Sequence, residues 1–195
     1  ISSEHIDSFV NDGLLFMNTV RYFREIEDDD DALRGDKHDG LTSRFNPKTT
    51  TIHFDGHEVG GITGIEYKSD HEGDTNLFCL TVIYDEDLIQ SQGELYLSDK
   101  FIKFGDKAIV IAGDNIVTFL RRGKTAIAKD VNIVGHPEQE DDARAVDYVC
   151  RKSYYGNMGV FKKFDNYAWQ HEWRIAIKQT LKPGEPYDEL KIGSI

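Results

Sequence analysis

Apolar and polar residues alternate in short stretches along the chain, and this pattern predicts short helices near the N-terminus followed by strands. Residues 2–13 form a predicted helix, because their apolar side chains share one helical face and a glycine ends the pattern. The run LLFMN (14–18) is typical of a buried strand. TVRYFREIE (19–27) then predicts a second short helix with Thr19 as its N-cap.

The pattern downstream is dominated by β-prone runs. After a long polar loop over 28–49, two such runs flank Asp55-Gly56, a dipeptide typical of a type I′ hairpin turn. One further helix is predicted to begin near Asp114 and to end at Gly123. The remaining strands are predicted at 76–84, 107–113, 124–134, 144–150 and 172–179.

Strands outnumber helices in this reading, and the helices concentrate in the N-terminal half of the chain. That order favours an α+β fold with a mainly antiparallel sheet over alternating βαβ units with a parallel sheet. The length of 195 residues and the lack of a linker or internal repeat predict a single domain spanning 1–195.

Composition places the chain among globular proteins, since 39% of its residues are hydrophobic and 11% are aromatic. No apolar run reaches the length that a membrane span needs, and the first residues lack the features of a signal peptide. Cys79 and Cys150 lie in apolar, strand-like runs, which predicts buried, reduced thiols rather than a disulfide. We therefore expect a cytoplasmic protein with no membrane partner.

The net charge of −12 disfavours loose, sequence-independent binding to nucleic acid. The charge is uneven, however: residues 1–99 carry a balance of −15 and residues 100–195 a balance of +3. A local basic surface that meets an anionic substrate is therefore compatible with the sequence. Its candidate residues are Arg121, Arg122, Lys124, Arg151, Lys152, Lys162 and Lys163.

The densest group of charges is YFREIEDDDDALRGDKHDGL (22–41), directly after the first predicted strand and helix. Arg24 and Arg34 can each present a two-pronged donor to a phosphate or a carboxylate. Gly35 and Gly40 permit close approach of the backbone. The alternative is an internal web of salt bridges in which nearby acidic side chains hold both arginines.

Metal binding is not predicted. The four consecutive aspartates, Asp28–Asp31, lack the alternating ligand spacing of a calcium loop and read as a solvated charged loop. The chain also lacks a phosphate-binding glycine loop, a GxGxxG motif, an HExxH motif and paired CxxC motifs.

A second group of polar residues lies in YAWQHEWRIAI (167–177). On a strand, Gln170, Glu172 and Arg174 would share one face, and Trp173, Ile175 and Ile177 would form a buried stripe on the other. A glutamine and a glutamate two residues apart suit binding of a sugar hydroxyl and stabilisation of a nearby positive charge. The alternative pairs Glu172 with Arg174 or with a lysine of a neighbouring strand.

GLLFMNTVRYFREIED, RGDKHDG and KKFDNYAWQHEWRIAI together resemble an uncharacterised family of small bacterial and phage proteins. In that family a strand leads to an FR-x-x-ED helix, an RGD-x-x-x-G loop follows, and a strand carrying E-[WY]-R completes the core. The resemblance spans most of the chain and is most specific at these two ends.

The Gln170-x-Glu172 pair is also similar to the Q/E-x-E motif of ADP-ribosyltransferases. That resemblance implies NAD as the substrate, with Glu172 stabilising the oxocarbenium-like transition state and Gln170 helping to select the acceptor. It also implies an arginine, Arg24 or Arg34, on the NAD phosphates and a supporting strand that carries Thr81. Tyr22 and Tyr167 are the aromatic residues available to stack on nicotinamide. The S-T-S motif of that superfamily is absent.

Three functions follow as hypotheses. The first is an ADP-ribosyltransferase-like domain that modifies an unknown acceptor, protein or nucleic acid, as a toxin or a phage–host conflict factor. The second is a non-catalytic acidic interaction protein. The third is a metal-dependent nuclease or phosphoesterase using Asp28, Asp36 and Asp39, which the sequence favours least because it contains no D-x-D/E-x-K strand. The sequence does not predict an oligomeric state.

Overall fold

A computed structural model describes residues 3–26, 33–94, 97–134 and 143–194. Its α-helices are α1 (Ser3–Asp7), α2 (Val20–Glu25), α3 (Asp70–Gly73), α4 (Asp85–Gln90) and α5 (Asp114–Lys129). Its strands are β1 (Leu14–Thr19), β2 (Ser43–Phe45), β3 (His53–Phe54), β4 (His57–Glu58), β5 (Ile65–Tyr67), β6 (Asn76–Thr81), β7 (Ile133–Val134), β8 (Ala143–Ala145), β9 (Asp147–Val149), β10 (Gly156–Asn157), β11 (Lys162–Phe164), β12 (Glu172–Gln179) and β13 (Tyr187–Lys191). A π-helical turn (Ser8–Asp12) and two 3₁₀ turns (Asp99–Phe104 and Asp165–Gln170) complete the elements.

The main sheet has six strands in the order β13-β1-β6-β12-β7, with β8 also paired to β12. Every pairing in this sheet is antiparallel. A three-stranded antiparallel sheet (β10-β2-β5) and the parallel pair β9–β11 lie outside it. The predicted α+β class with a mainly antiparallel sheet is confirmed.

The two faces of β12 are both covered, and this determines the environment of the charged residues on that strand. On one face Ile175 and Ile177 pack with Phe9 and Phe119 in the largest core cluster, so the predicted apolar stripe is confirmed. On the other face Ala176 packs with a second buried cluster that includes Phe161. Polar residues of β12 on this second face are therefore enclosed rather than solvated.

Several local predictions hold in detail. The first helical segment ends at Gly13, whose φ of 62° is left-handed. The hydroxyl of Thr19 accepts a hydrogen bond from the Tyr22 backbone N–H and so caps α2, as predicted. Asp55 and Gly56 have φ values of 48° and 79°, as a type I′ turn between β3 and β4 requires.

Within 107–134 the start of the helix at Asp114 was predicted correctly, but the end of that helix and the strands on either side of it were predicted wrongly. No strand forms over 107–113, and α5 continues through Gly123 to Lys129, so that most of the predicted strand 124–134 is helical. Gly123 is buried, and a Cβ built there would lie 3.8 Å from Cδ1 of Ile175. The glycine therefore lies inside the helix, facing Ile175 of the sheet, rather than at the end of the helix.

The sequence predicted the oxidation state of the two cysteines correctly and their burial wrongly. Neither Cys79 nor Cys150 forms a disulfide, but both residues are exposed. The predicted strand 144–150 divides into β8 and β9, and Cys150 lies in the turn that follows β9. Of the described helices, none is both long enough and apolar enough to cross a membrane.

Candidate functional site

The two polar groups identified in the sequence meet in the interior. Arg174 of β12 donates from Nη1 to Oδ1 of Asp39 and from Nη2 to Oδ2, each over 2.7 Å, although the two residues lie 135 positions apart. Arg174 is 1% exposed and Asp39 is 1% exposed. This two-pronged ion pair joins the RGD-x-x-x-G loop to the E-W-R strand.

Glu172 extends the network at the first residue of β12. Its Oε1 accepts a hydrogen bond from Arg174 Nε over 2.7 Å, and its Oε2 accepts one from Lys163 Nζ over 3.0 Å. Lys163, on β11, also donates to Oε1 of Gln170 over 3.0 Å. All four side chains are buried, so both carboxylate oxygens of Glu172 are paired with cations out of contact with bulk water.

The charges in this cluster stabilise one another against the cost of burial. Burial alone would raise the pKa of Glu172, but Arg174 and then Lys163 outweigh it and hold the pKa well below its ordinary value. Burial likewise opposes the charged forms of Arg174 and Lys163. The carboxylates of Asp39 and Glu172 nevertheless raise the pKa of Arg174. The carboxylate of Glu172 is the main cause of the raised pKa of Lys163. Glu172 is therefore ionised and both cations are protonated at neutral pH.

Asp36 is the exception in the cluster. Its Oδ1 accepts a hydrogen bond from the His38 backbone N–H over 2.9 Å, whereas its Oδ2 is buried without a hydrogen-bond partner among the described residues. Burial and then the negative charge of Asp39 raise the pKa of Asp36 to about 6, while Lys163 acts in the opposite direction. Asp36 is thus poised to change its protonation state near neutral pH.

Several further contacts hold the 33–41 loop on the sheet. Arg24 donates from Nε to the carbonyl oxygen of Asp39 over 2.6 Å and from Nη2 to that of Gly40 over 2.8 Å. Gln170 Nε2 donates to the Leu33 carbonyl over 2.6 Å, and the Tyr167 hydroxyl donates to the Gly35 carbonyl over 2.7 Å. These hydrogen bonds from Arg24, Gln170 and Tyr167 therefore hold the backbone of residues 33–41 against the sheet.

Gly40 shows why this loop needs a glycine. Its φ is 58°, and a Cβ built on it would lie 2.7 Å from Cγ1 of Val20. Any side chain would therefore combine an unfavourable backbone conformation with a steric clash against α2. The tight approach brings the neighbouring Asp39 carbonyl within reach of Arg24.

The other residues proposed for the site are placed as follows. Thr81 of β6 is exposed and lies directly opposite Glu172 in the β6–β12 register. Tyr22 is 46% exposed, and its ring packs edge-on against Phe23. Arg34 is exposed. Glu27 and Asp28–Asp31 lie outside the described residues.

Two of the sequence interpretations are decided by this geometry. The alternative in which Glu172 pairs with Arg174 or with a lysine of a neighbouring strand is confirmed for Arg174. The lysine that also pairs with Glu172 is Lys163 of β11, a strand that is not hydrogen-bonded to β12. Lys163, a candidate for a basic surface, is buried at 4% exposure, so that assignment was wrong. Its position in the apolar run VFKKF was the signal in the sequence that it is enclosed.

Tyr148 was not identified from the sequence. Its hydroxyl accepts a hydrogen bond from the backbone N–H of Glu172 over 2.9 Å, which fixes the start of β12. Nothing in the local sequence distinguishes this tyrosine from the other eight. Its role depends on the pairing of β9 with β11, which brings it close to Lys163.

A metal centre receives no support from the described residues, among which no group of three or more His, Cys, Asp and Glu side chains is arranged to hold an ion. Both carboxylate oxygens of Asp39 are already bound to Arg174. Asp39 is therefore engaged in an ion pair, while Asp28 lies outside the described residues, so the nuclease hypothesis stays a prediction.

The chain was compared with protein-family models, with curated proteins and with solved structures, and none of the three comparisons gives a match.

Proposed function

We propose that this chain is an ADP-ribosyltransferase-like domain that binds NAD and transfers ADP-ribose to an acceptor, with Glu172 as its catalytic carboxylate. The observation that carries the proposal is the ionised, almost fully buried Glu172 at the start of β12, two residues after Gln170 and opposite the exposed Thr81. A biological role as a toxin or a phage–host conflict factor, located in the cytoplasm, belongs to the same proposal.

The chemistry follows from the charge of Glu172. Cleavage of the bond between nicotinamide and ribose builds positive charge on the ribose, and a fixed carboxylate in a poorly solvated place favours that state over the ground state. Thr81 and Cys79 are exposed on β6, on the same sheet face as Glu172 and Arg174, so this side of β12 is the route that we propose for a ligand toward the carboxylate.

The two arginines divide into different roles. Arg24 uses Nε and Nη2 to bind backbone carbonyls of the 33–41 loop, which supports a structural role for it. Arg34 is exposed in the same loop and is the better candidate for the NAD diphosphate. The exposed ring of Tyr22 is the aromatic surface that we propose for nicotinamide.

The engagement of both Glu172 oxygens by Arg174 and Lys163 favours a second candidate, a non-catalytic interaction protein. A carboxylate already neutralised by two cations has less capacity to stabilise a further positive charge. In this alternative the network serves only to fix the 33–41 loop on the sheet, and the acidic N-terminal half of the chain meets a basic partner.

One pair of measurements separates the candidates. NAD consumption and the melting temperature with and without NAD are recorded for the wild type, for Glu172→Gln, and for Glu58→Gln as a matched control in the exposed β3–β4 hairpin. For an enzyme, saturating NAD at about a hundred times its Kd stabilises the fold by roughly 2.7 kcal/mol. Glu172→Gln then keeps that shift but loses turnover by roughly a hundredfold or more, assayed at a temperature where the variant is folded.

The opposite result would mean that Glu172 stabilises the fold and has no catalytic role. It consists of a wild type that neither consumes NAD nor melts higher with it, together with a Glu172→Gln variant destabilised by about 3–5 kcal/mol, because buried Lys163 loses its carboxylate partner and Arg174 loses one of two. The Glu58→Gln control behaves like the wild type in either case.

A further inference from the structure

His38 lies between charged groups from two other parts of the chain. Its Nδ1 atom is 3.2 Å from Oε2 of Glu66 on β5, and its Nε2 atom is 3.1 Å from Nη2 of Arg151, in the turn after β9. The imidazole ring packs edge-on against the buried Phe164 of β11, whose centroid is 5.5 Å from the guanidinium carbon of Arg151. The side chain of His38 therefore connects the 33–41 loop to this turn.

The contact with Arg151 determines the protonation state of the imidazole. Every nitrogen of a guanidinium is a donor and none is an acceptor, so Nε2 of His38 has to accept the hydrogen bond from Arg151. A histidine whose Nε2 accepts is neutral, and its one proton is on Nδ1, which here faces Glu66. Nδ1 is buried and makes no well-aligned hydrogen bond among the described residues, so it interacts with Glu66 chiefly through charge.

The surroundings of His38 favour this neutral form. Burial has the largest effect and lowers the pKa of His38. The carboxylate of Glu66 opposes that effect, whereas the positive charges of Arg151 and Lys68 add to it. The imidazole is therefore neutral at neutral pH and takes up a proton only in mild acid.

The other charged groups of the same loop and of β2 are Asp36, Asp39 and Arg44. Nε of Arg44 is 3.6 Å from Oε1 of Glu66, so these two side chains are paired. Asp36 accepts a hydrogen bond from the backbone N–H of His38, and Asp39 is held by its ion pair with the main sheet. Protonation of the imidazole therefore acts first on Glu66 and Arg151, which face its two ring nitrogens.

Protonation of His38 places a second N–H group opposite Arg151. Two donors and two positive charges then face each other over 3.1 Å, whereas the attraction between the imidazolium and Glu66 increases. The backbone of Arg151 remains held, because Nη1 of Arg44 donates to its carbonyl oxygen. The guanidinium of Arg151 is therefore the group that moves.

We propose that His38 is a pH-sensitive switch: when its imidazole binds a proton, the guanidinium of Arg151 leaves, and the 33–41 loop loses its side-chain contact with the turn after β9. The ring of Phe164 then keeps only one of its two guanidinium neighbours, that of Arg44. The switch requires no reaction at Glu172, so it stands or falls separately from NAD chemistry.

The test follows the imidazole and the guanidinium separately by NMR, in the full chain labelled with ¹⁵N and titrated from pH 8 to pH 5. Long-range ¹H–¹⁵N spectra report the tautomer and the pKa of His38, and the Nε–H signal of Arg151 reports the order of its side chain. The variants His38→Gln and Arg151→Met identify these two signals by their disappearance. Lys152→Met is the matched control, because Lys152 is the exposed neighbour of Arg151 and is not among the groups that shift the pKa of His38.

We expect His38 to carry its proton on Nδ1 at pH 8 in the wild type. Arg151→Met should raise the pKa of His38 toward its ordinary value of 6.5, because a positive charge and a donor are removed, whereas Lys152→Met should leave it unchanged. The Arg151 signal should lose its order with the same midpoint as the His38 titration. In His38→Gln it should stay ordered from pH 8 to pH 5, because the amide oxygen of glutamine still accepts and does not titrate.

Asp36 titrates in the same range, with a pKa of about 6, so the titration is repeated in Asp36→Asn. Release of Arg151 that still follows His38 in this variant assigns it to the histidine, and release that disappears would overturn the proposal. A proton on Nε2 at pH 8 would also overturn it, as would equal pKa shifts in Arg151→Met and Lys152→Met. So would an Arg151 signal that stays ordered while His38 of the wild type becomes protonated, a result that depends on no variant being folded.

Discussion

Asp39 and Arg174 form a two-pronged ion pair in the interior, with both N···O distances at 2.7 Å and both residues 1% exposed. The pair joins a loop near the N-terminus to the strand at the centre of the main sheet, so its removal should affect the whole fold. A buried ion pair that loses one member leaves an uncompensated charge in a poorly solvated place.

We therefore expect Asp39→Ala to lower the free energy of unfolding by about 3–5 kcal/mol in urea titrations at pH 7. The surface pair Arg21–Asp74, whose N···O distance is 2.6 Å, provides the comparison. Arg21→Ala should cost less than about 1 kcal/mol because exposed pairs contribute little. Similar losses of stability for the two variants would show that the interior pair is not isolated from water.

Much of this fold was predictable because its elements depend on local patterns. Three local patterns each determine structure over a few residues. They are Thr19 at the start of α2, Gly13 at the end of the first helical segment, and the two-residue spacing that puts Ile175 and Ile177 on one face of β12. The boundary of α5 was not predictable in this way. A glycine inside a helix and a glycine that ends one look the same until the sheet packed against Gly123 is known.

Some members of the candidate site were predictable from the sequence, whereas Lys163, Tyr148 and the pairing of all the members were not. Arg24, Gln170, Glu172 and Arg174 were all identified from residue type and spacing. Their partners are backbone carbonyls of the 33–41 loop and side chains far along the chain, and such pairings depend on tertiary contacts that no local pattern encodes.

The helical position of Gly123 gives a second prediction. Gly123→Ala should raise the free energy of unfolding by about 0.5–1 kcal/mol, because alanine is the better helix former and its Cβ would lie in ordinary contact, 3.8 Å from Ile175. Chemical denaturation measures the change. Gly13→Ala serves as the contrast, since there φ is 62° and a Cβ would lie 2.1 Å from the Gly193 carbonyl oxygen, so that variant should be destabilised. A loss of stability in Gly123→Ala would place the end of the helix at residue 123 after all.

Asp36 gives a prediction about pH. Its pKa is about 6 in the folded chain and 3.8 for an ordinary aspartate, so between these values the folded state holds a proton that the unfolded state has released. Stability from this group is fully present below about pH 3.8 and is lost as the pH rises through 6. Asp36→Asn removes that loss, because an amide stays neutral while its oxygen still accepts from the His38 N–H.

The stability of Asp36→Asn relative to the wild type should therefore increase from pH 5 to pH 8, by on the order of 1–3 kcal/mol. Urea titrations of both proteins at half-unit pH steps measure the difference. The conservative change Asp36→Glu keeps a carboxyl group and should retain a pH-dependent loss of stability. A wild type and an Asn variant whose stabilities run parallel from pH 5 to 8 would mean that Asp36 is ionised throughout this range.

The two thiols give the last prediction, and it tests the surroundings of Glu172 directly. Cys150 lies in an exposed turn where a hydrogen bond from Ser153 lowers its pKa. Cys79 also has accessible surface, yet protein atoms crowd it on the sheet face, and this desolvation, followed by the charge of Glu172, raises its pKa. Accessible area governs whether a reagent reaches a thiol, whereas crowding and charge govern how much thiolate is present to react.

Under native conditions at pH 7.5 we therefore expect a maleimide to label Cys150 faster than Cys79. Mass spectrometry of the single-thiol variants Cys79→Ser and Cys150→Ser measures the two labelling rates. Adding Glu172→Gln to the Cys150→Ser protein should accelerate labelling of Cys79, because a neutral amide no longer opposes the thiolate, while adding Glu58→Gln should leave the rate unchanged. If Glu172→Gln does not alter the Cys79 rate in a variant that melting curves show to be folded, the carboxylate and the thiol are not neighbours, and the approach to Glu172 from the β6 side would have to be abandoned.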